Sequence, residues 1–513
     1  LPKGNFFYNL IIGMFPLYNI FGFGGYDMFR STRQNRPASG ERAIVEGMDG
    51  DGGLFVPKVL PALSLDELYS LDYRGLSSRI LGAYFPGFAE EKIKRIVSEA
   101  YDGRFAVPEV VNLREAGGVY FLELFHGPTL AFKDIALSVL PSLYMESKKK
   151  MGSDKGTLFL TATSGDTGSA ALAAFSGMPE VASVVLYPEN GVGSIQECQM
   201  LRYSEGRSLA VAYDGDFDAI QGFVKRVMTD KDILGRDIDL ASANSINIGR
   251  LIPQVAYYFY AYARLVSDGA IKAGEKINFV VPTGNFGNVF AGYFARRMGL
   301  PVGRLICALN RNRSLGKLFK TGRFRRRKRL IKTITPAMDI LVPSNLERLL
   351  YYAAGEESEA VLELTRSLRT RGAFRIPGPA LAGMNGFASY WASEKDTLSA
   401  INYVYSRHGY LIDPHTAVGY HAYLQYKSRA RDKTKTVILA TAHPFKFPAT
   451  VLKALGKDCD DEFLGLEVLS GITGIETSAS LTGLEKYRAR KSVWTADSAE
   501  SKLKARLKAC GLR

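Results

Sequence analysis

TLFLTATSGDTGSAALAAFSG, residues 157–177, runs from a β-rich apolar segment through a loop of small polar residues into strong helix formers closed by a glycine. TLFLTAT reads as a buried strand, SGDTG as the break, and SAALAAFSG as a helix with its stop signal. The same order recurs along the chain. ASVVLYP is a second strand, INFVVPT leads through GNFGN into the helix VFAGYFARRMG, and TVILATAH is a late strand. Strands that alternate with helical segments pair in parallel through crossovers, so the reading is an α/β fold with parallel-sheet domains and helices on both faces. In such sheets ligands bind beyond the carboxyl ends of the strands. Those ends are where this sequence gathers its glycines and small polar residues.

Two of the strand ends have the form of anion seats. In PTGNFGNV, residues 282–289, glycines 284 and 287 lie between a strand and a helix start. Several backbone N–H groups there can converge on one anion at the positive end of the helix dipole. An ordinary strand-to-helix turn accounts for the same letters, and the stretch is neither a Walker motif nor GxGxxG. TSGDTGSA, residues 163–170, repeats the form with hydroxyls at Thr163, Ser164 and Thr167. It suits a carboxylate, or simply a helix capped through Asp166 or Thr167. Upstream, HGPTLAFKDIAL, residues 126–137, sets Lys133 alone in an apolar run. Such a lysine either lays its methylenes on the core and lifts its ammonium to water, or loses its proton through desolvation and attacks a carbonyl. Two anion seats and a buried lysine are what a pyridoxal-phosphate enzyme acting on an amino acid needs.

Composition sets the outer bounds. At 513 residues and 46% hydrophobic, the chain is long enough for two or three domains with cores of their own and too apolar to be disordered. Its four cysteines are scattered without a CxxC pair, and its five histidines include no HExxH, so no metal site is expected. The net charge of +15 is concentrated: RNRSLGKLFKTGRFRRRKRLIK, residues 311–332, holds eleven basic residues and no acidic one. That tract reads as a solvated face, the alternative being a polyanion patch, and no nucleic-acid partner is expected. KLKARLKACGLR, at the end of the chain, reads as an exposed amphipathic helix. Residues 1–27 are apolar, aromatic and almost uncharged, with a proline at 16. They read as a leader or upstream sequence outside the fold, with Met28 a plausible start and a membrane anchor the minor alternative. No membrane contact is expected of the folded body. The expected compartment is the cytoplasm, with an organelle address on the leader as the alternative.

HGPTLAFKDIAL, TATSGDTGSAAL, INIGRLIPQ, PTGNFGNVFAGYFARRMGLP, TPAMDILVPSNLERLL and LATAHPFKFP, in this order, together with the opening FRSTRQNRPASGERAIVEGMDGDGGLFVP, closely resemble threonine synthase of the long bacterial and fungal type. The resemblance runs from about Met28 to at least Pro448. It implies a fold-type-II pyridoxal 5'-phosphate enzyme that converts O-phospho-L-homoserine and water to L-threonine and phosphate. By matching positions it implies Lys133 as the Schiff-base lysine, with Phe132 beside it at the cofactor. Gly284, Asn285, Phe286, Gly287 and Asn288 would hold the cofactor phosphate, and Thr441 would face the pyridine nitrogen. Thr163, Ser164, Gly165, Asp166 and Thr167 would receive the amino-acid end of the substrate. Lys133 would serve as general base and acid through loss of the α- and β-protons, loss of the γ-phosphate and addition of water at the β carbon. The departing phosphate needs a cationic or amide cradle. SANSINIGR offers one, with Asn247 and Arg250 as the expected ligands; a surface-paired arginine is the other reading of Arg250.

The chain departs from that family's pattern in three places. The tract after residue 310 is richer in arginine, Gln34 stands where a glycine is common, and the tail beyond about 460 is unmatched. The expected domains are a leader over 1–27, an N-terminal domain over 28–110, a smaller α/β domain over 111–235 with Lys133 and SGDTG, and a larger one over 236–513 with GNFGN and the basic insertion 311–332. A monomer or homodimer is expected. A related phospho-lyase releasing 2-oxobutyrate, ammonia and phosphate is the rival enzyme. A non-catalytic polyanion-binding protein built on the basic tract is the remote rival.

Overall fold

The computed structural model describes residues 27–235 and 237–512. The segment read as a leader lies outside them but for Asp27. The chain opens with a three-stranded antiparallel sheet of β1 (Phe29–Ser31), β2 (Pro37–Ala38) and β3 (Phe55–Pro57), ordered β2-β1-β3. Helices Tyr73–Tyr84 and Glu90–Tyr101 follow and complete the N-terminal domain. Its aromatic face is clamped to the rest: Tyr73 meets Tyr260 edge-on at 5.5 Å, and Arg33 pairs with Glu347 at 2.8 Å.

The hairpin β4 (Asn112–Ala116) and β5 (Val119–Glu123) comes next, then β6 (Gly156–Ala162), β7 (Val181–Pro188), β8 (Ser208–Tyr213) and β9 (Ile238–Ala241). The chain continues through β10 (Ile277–Pro282), β11 (Val302–Leu309), β12 (Arg323–Arg325), β13 (Ala373–Arg375), β14 (Phe387–Trp391), β15 (Thr436–Ala440) and β16 (Val493–Trp494). Two parallel sheets result, as read. One is ordered β16-β8-β7-β6-β9; the other is ordered β14-β11-β10-β15-β5-β4, with only β4 antiparallel to its neighbour. Strands β6, β7, β10 and β15 are almost wholly buried, so helices cover both faces, as parallel sheets require.

Sheet membership corrects the expected domain boundaries in three places. Strands β4 and β5, expected in the smaller domain, belong to the larger sheet, where β5 pairs with β15. Strand β9, beyond the expected boundary at 235, closes an edge of the smaller sheet against β6. The unmatched tail returns to that same sheet: β16 pairs with β8, and helix Ala499–Ala509 buries Leu503 and Leu507 in its core. The chain thus crosses between the sheets more often than sequence neighbourhood suggests.

The basic tract is a solvated face. Of its eleven cations ten are exposed and Arg327 is half-buried, while Phe324 between Arg323 and Arg325 is buried and stacks on Phe374 at 5.1 Å. Among the described residues no helix is long and apolar enough to cross a membrane, and no cluster of side chains is arranged to hold a metal.

Candidate active site

Lys133 opens helix Lys133–Lys150, directly after the end of β15 fixes Phe132: the Phe132 N–H donates to Thr441 O at 2.9 Å. The turn before it is built by Asp134, whose carboxylate accepts from Thr129 N, Thr129 Oγ1 and Ala131 N at 2.9, 2.6 and 3.4 Å. Gly127 permits this, since a Cβ there would lie 2.5 Å from Asp134 Cβ. The Lys133 side chain is 13% exposed, and its Nζ lies 3.6 Å from Asp166 Oδ2. Burial lowers its pKa; Asp166 opposes that shift, and the nearby Lys446 and Arg250 reinforce it. Lowering the pKa of an amine enlarges its neutral, nucleophilic fraction at any given pH.

Asp166 comes from the SGDTG loop, which leads from β6 into helix Asp166–Phe175. The helix is capped not by Asp166 or Thr167, as one reading of the sequence had it, but by Gly165 at φ 135°. A Cβ at Gly165 would meet Gln196 Nε2 at 2.7 Å, so space and backbone both demand glycine. Thr163 folds its hydroxyl back on the loop, accepting from Gly165 N and Gly168 N at 3.1 and 3.0 Å. That hydroxyl organises the loop; Ser164 is exposed and Thr167 half-buried at the cleft. Burial works against a charge on Asp166, yet Lys446 and Lys133 together hold its carboxyl well below the usual range.

The GNFGN loop follows β10 and opens helix Gly287–Arg297. Phe286 sits in the left-handed region at φ 68°. Gly284 is forced by contact: a Cβ would stand 2.4 Å from the Ala337 carbonyl oxygen. Asn345 ties the loop down, its N–H and its Nδ2 both donating to Asn285 O at 3.1 Å. Arg348, fully buried, holds Asn345 Oδ1, Phe55 O and Ile246 O together. Among the described residues the N–H groups of Asn285, Phe286, Gly287 and Asn288 find no acceptor. Asn288 accepts the hydroxyls of Tyr257 and Tyr258 at 2.6 and 3.0 Å, and its Nδ2 is buried without a partner.

The SANSINIGR segment separates its two expected ligands. The Asn247 side chain is spent on the backbone: Nδ2 donates to Ile44 O at 2.8 Å, and Oδ1 accepts from Gly249 N at 2.9 Å, capping a short helical turn. It supports the segment instead of facing the cleft, because an asparagine before a helix start finds backbone partners first. Arg250 is buried, not surface-paired: its Nη1 donates to Ala243 O, its Nε has no acceptor, and among the described residues no carboxylate pairs with it. Burial pushes its guanidinium down to about 10.

The structure therefore gathers Lys133, Asp166, Arg250, Thr441 and both loops at the carboxyl ends of β6, β9, β10 and β15. It adds residues that the motifs did not single out. Lys446 is fully buried, 2.8 Å from Asp166 Oδ1 and 2.7 Å from Thr129 O. His415 turns Nδ1 to Asp413 Oδ1 at 2.9 Å and leaves Nε2 buried without a partner. Lys446 repeats the signal of Lys133, a lysine in an apolar run, within HPFKFP.

Comparison with known proteins places this arrangement. The family model described as pyridoxal-phosphate dependent enzyme matches residues 107–442, and the models for the threonine synthase N terminus and C-terminal region match 28–101 and 416–500. The threonine synthase of Saccharomyces cerevisiae is 35% identical over 466 residues, which cover 83% of this chain and 89% of that protein. The chain belongs to the threonine synthase family. The C-terminal match reaches residue 500, so most of the tail unmatched by motif also belongs to this family. The solved structure of pyridoxal-phosphate-bound threonine synthase from Brucella melitensis superposes with a TM-score of 0.82 at 33% identity, covering 93% of this chain and 99% of that one. The fold is thus that of the fold-type-II threonine synthases. Human threonine synthase-like 1 is 37% identical over 467 residues, covering 84% of this chain. The chain spans 61% of the length of that relative.

Proposed function

We propose that this protein is a threonine synthase in activity: it takes O-phospho-L-homoserine and water to L-threonine and phosphate, with pyridoxal 5'-phosphate bound at Lys133. The observation that carries the reading is Arg250, a buried guanidinium with no carboxylate partner among the described residues, in the cluster that holds Lys133. A buried, uncompensated cation is costly unless an anion completes it. The leaving phosphate of this substrate is such an anion.

The residues present suit the cofactor. Unpaired N–H groups of Asn285 through Asn288 form a cradle at a helix N-terminus, which fits a phosphate. Lys133, with its lowered pKa, fits an aldehyde. When bound, pyridoxal phosphate supplies the carbonyl that the amine attacks and a conjugated ring that spreads the electron pair left by a departing proton. Lys133 Nζ, once free, takes up and returns protons beside the substrate. Ser164 and Thr167 offer unspent hydroxyls for the substrate carboxylate, while Thr163 and Gly165 shape the loop. Arg250 balances the phosphate as its charge develops. Asp166, neutralised by Lys446, leaves the net field at the site positive, which favours a substrate carrying a carboxylate and a phosphate.

The test is a product balance. With O-phosphohomoserine supplied, threonine and phosphate are expected to form in equal amounts, and Lys133→Ala is expected to lose both this turnover and the absorbance band near ~420 nm of the cofactor on lysine. Phosphate accompanied by 2-oxobutyrate and ammonia would make the protein a phospho-lyase instead. No band and no phosphate release would sink both readings.

A further inference from the structure

Asp166 stands between two lysines with unequal claims on it. Lys446 Nζ is 2.8 Å from Oδ1, whereas Lys133 Nζ is 3.6 Å from Oδ2. Gln196 Nε2 also donates to Oδ1, at 2.8 Å, and so turns the carboxylate toward Lys446. Lys446 itself is pinned. It is fully buried, its second bond goes to Thr129 O at 2.7 Å, and it rides on the turn Pro444–Lys446. His443 caps that turn by accepting from Phe445 N through Nδ1 at 3.2 Å, and burial pushes this imidazole down to about 4, so the lone pair it needs is present at neutral pH.

The other charges around Lys133 do not compete for its proton. Arg250 acts as a like charge. Asp134, next to it on the same helix, is spent on Thr129 and Ala131. His415 is engaged with Asp413, its Nδ1 lying 2.9 Å from Oδ1. Asp166 is therefore the one carboxylate within 4 Å of Lys133 among the described residues, and its shorter ion pair is with Lys446.

We propose that Lys446 is a positioning residue: it takes Asp166 as its own counter-ion and so leaves the Lys133 amine free to be neutral, to attack a carbonyl and to accept a proton. The proposal rests on the reading of Lys133 as the carbonyl-attacking lysine. Without Lys446, Asp166 has a single cation to turn to. The resulting buried pair would hold Lys133 as an ammonium, which has no lone pair with which to attack.

Only the neutral amine is acylated. The rate at which acetic anhydride labels Lys133, followed against pH by peptide mass spectrometry on the full chain freed of cofactor, therefore reports its protonation midpoint. The wild-type midpoint is expected below the ordinary lysine value of about 10.4. Lys446→Met is expected to raise it by about one unit or more, a roughly tenfold slower labelling at a fixed pH below the midpoint, while Lys446→Arg keeps the wild-type profile. In an Asp166→Asn background the effect of Lys446→Met is expected to shrink below about a third, because the carboxylate through which Lys446 acts is gone. A midpoint unmoved or lowered by Lys446→Met would overturn the proposal. So would a shift of undiminished size in the Asp166→Asn background, which would show direct repulsion between the lysines. Should Lys446→Met not fold, Lys446→Gln removes the charge while keeping a donor for Thr129 O. Labelling involves no substrate, so these midpoints in a protein that makes no threonine would count against the functional reading alone.

Discussion

Arg250 carries the sharpest consequence at the level of single residues, because its charge is buried before any substrate arrives. With Nε lacking an acceptor and, among the described residues, no carboxylate paired with it, the buried guanidinium carries a desolvation cost that nothing there offsets. Arg250→Met keeps the length and apolar stem of the side chain. It is expected to stabilise the folded protein, by an amount comparable to the ~1–4 kcal/mol gained when buried ion pairs give way to apolar packing. The same change is expected to cost about 2–5 kcal/mol in kcat/KM for O-phosphohomoserine, roughly a 30- to several-thousand-fold loss. Thermal melts and steady-state kinetics read the two effects separately; a variant less stable than wild type with unchanged kcat/KM would place the anion seat elsewhere. At this scale the sequence was legible where a residue is out of character with its neighbours. Lys133 in its apolar run is such a residue. The backbone partners of Asn247, Ile44 O and Gly249 N, are atoms that no motif displays. Lys446 went unread because its meaning lies in Asp166, 280 positions earlier and 2.8 Å away.

Between residue and molecule stands the strand–loop–helix unit, and its glycines are the points where it resists change. Gly284 has no special backbone angle to defend; it is fixed by the Ala337 carbonyl oxygen, 2.4 Å from where a Cβ would be. Neither atom of that clash is the tip of a flexible side chain, so Gly284→Ala must shift the loop or the turn Pro336–Met338 against it. The expected result is about 1–3 kcal/mol of destabilisation from overpacking. The loop movement is also expected to weaken pyridoxal phosphate binding by about tenfold or more, since an anion cradle depends on several N–H groups aiming at one point. Equilibrium titration of the cofactor by absorbance or fluorescence measures this, and wild-type affinity in a folded variant would mean that Asn285 through Asn288 are not the cradle. The units themselves were legible from β-rich runs that give way to helix formers: β6, β7, β10 and β15 lie where the apolar runs are. Their caps were not. Phe286 adopts a left-handed φ of 68°, which few non-glycine residues do, and the glycine at 165 answers to the Gln196 side chain from a distant part of the chain.

For the whole molecule, the decisive feature is that the chain returns at Val493 to a sheet it left at Ala241. Sequence neighbourhood assigned residues 236–513 to one domain, yet β16 continues the smaller sheet, with Ala212 N donating to Ser492 O at 3.0 Å and Asp214 N to Trp494 O at 2.9 Å. The helix after it, read as an exposed amphipathic helix, buries its apolar stripe in the same core as Leu158, Val184 and Val211. Which sheet that stripe covers is a long-range fact, set by hydrogen bonding between strands and invisible to local periodicity. Since Asp166 rises from β6 in this sheet while Lys446 follows β15 in the other, the tail supports one half of the lysine–carboxylate arrangement. Leu507→Ala removes most of one fully packed side chain and is expected to cost about 2–5 kcal/mol, visible as a lower melting temperature. Loss of residues 491–513 removes Trp494, Leu503, Leu507 and Leu512 together, at about 1.5–3 kcal/mol each, and exposes the edge of β8. That sum reaches the roughly 5–15 kcal/mol on which a whole fold stands, so the shortened chain is expected to aggregate instead of folding. The point variant, in contrast, is expected to turn over substrate normally at 25 °C once folded, because no atom of Leu507 reaches the cleft. A shortened chain with wild-type melting behaviour would show that the smaller sheet closes without its tail, and the coupling from the chain's end to Asp166 would fall with it.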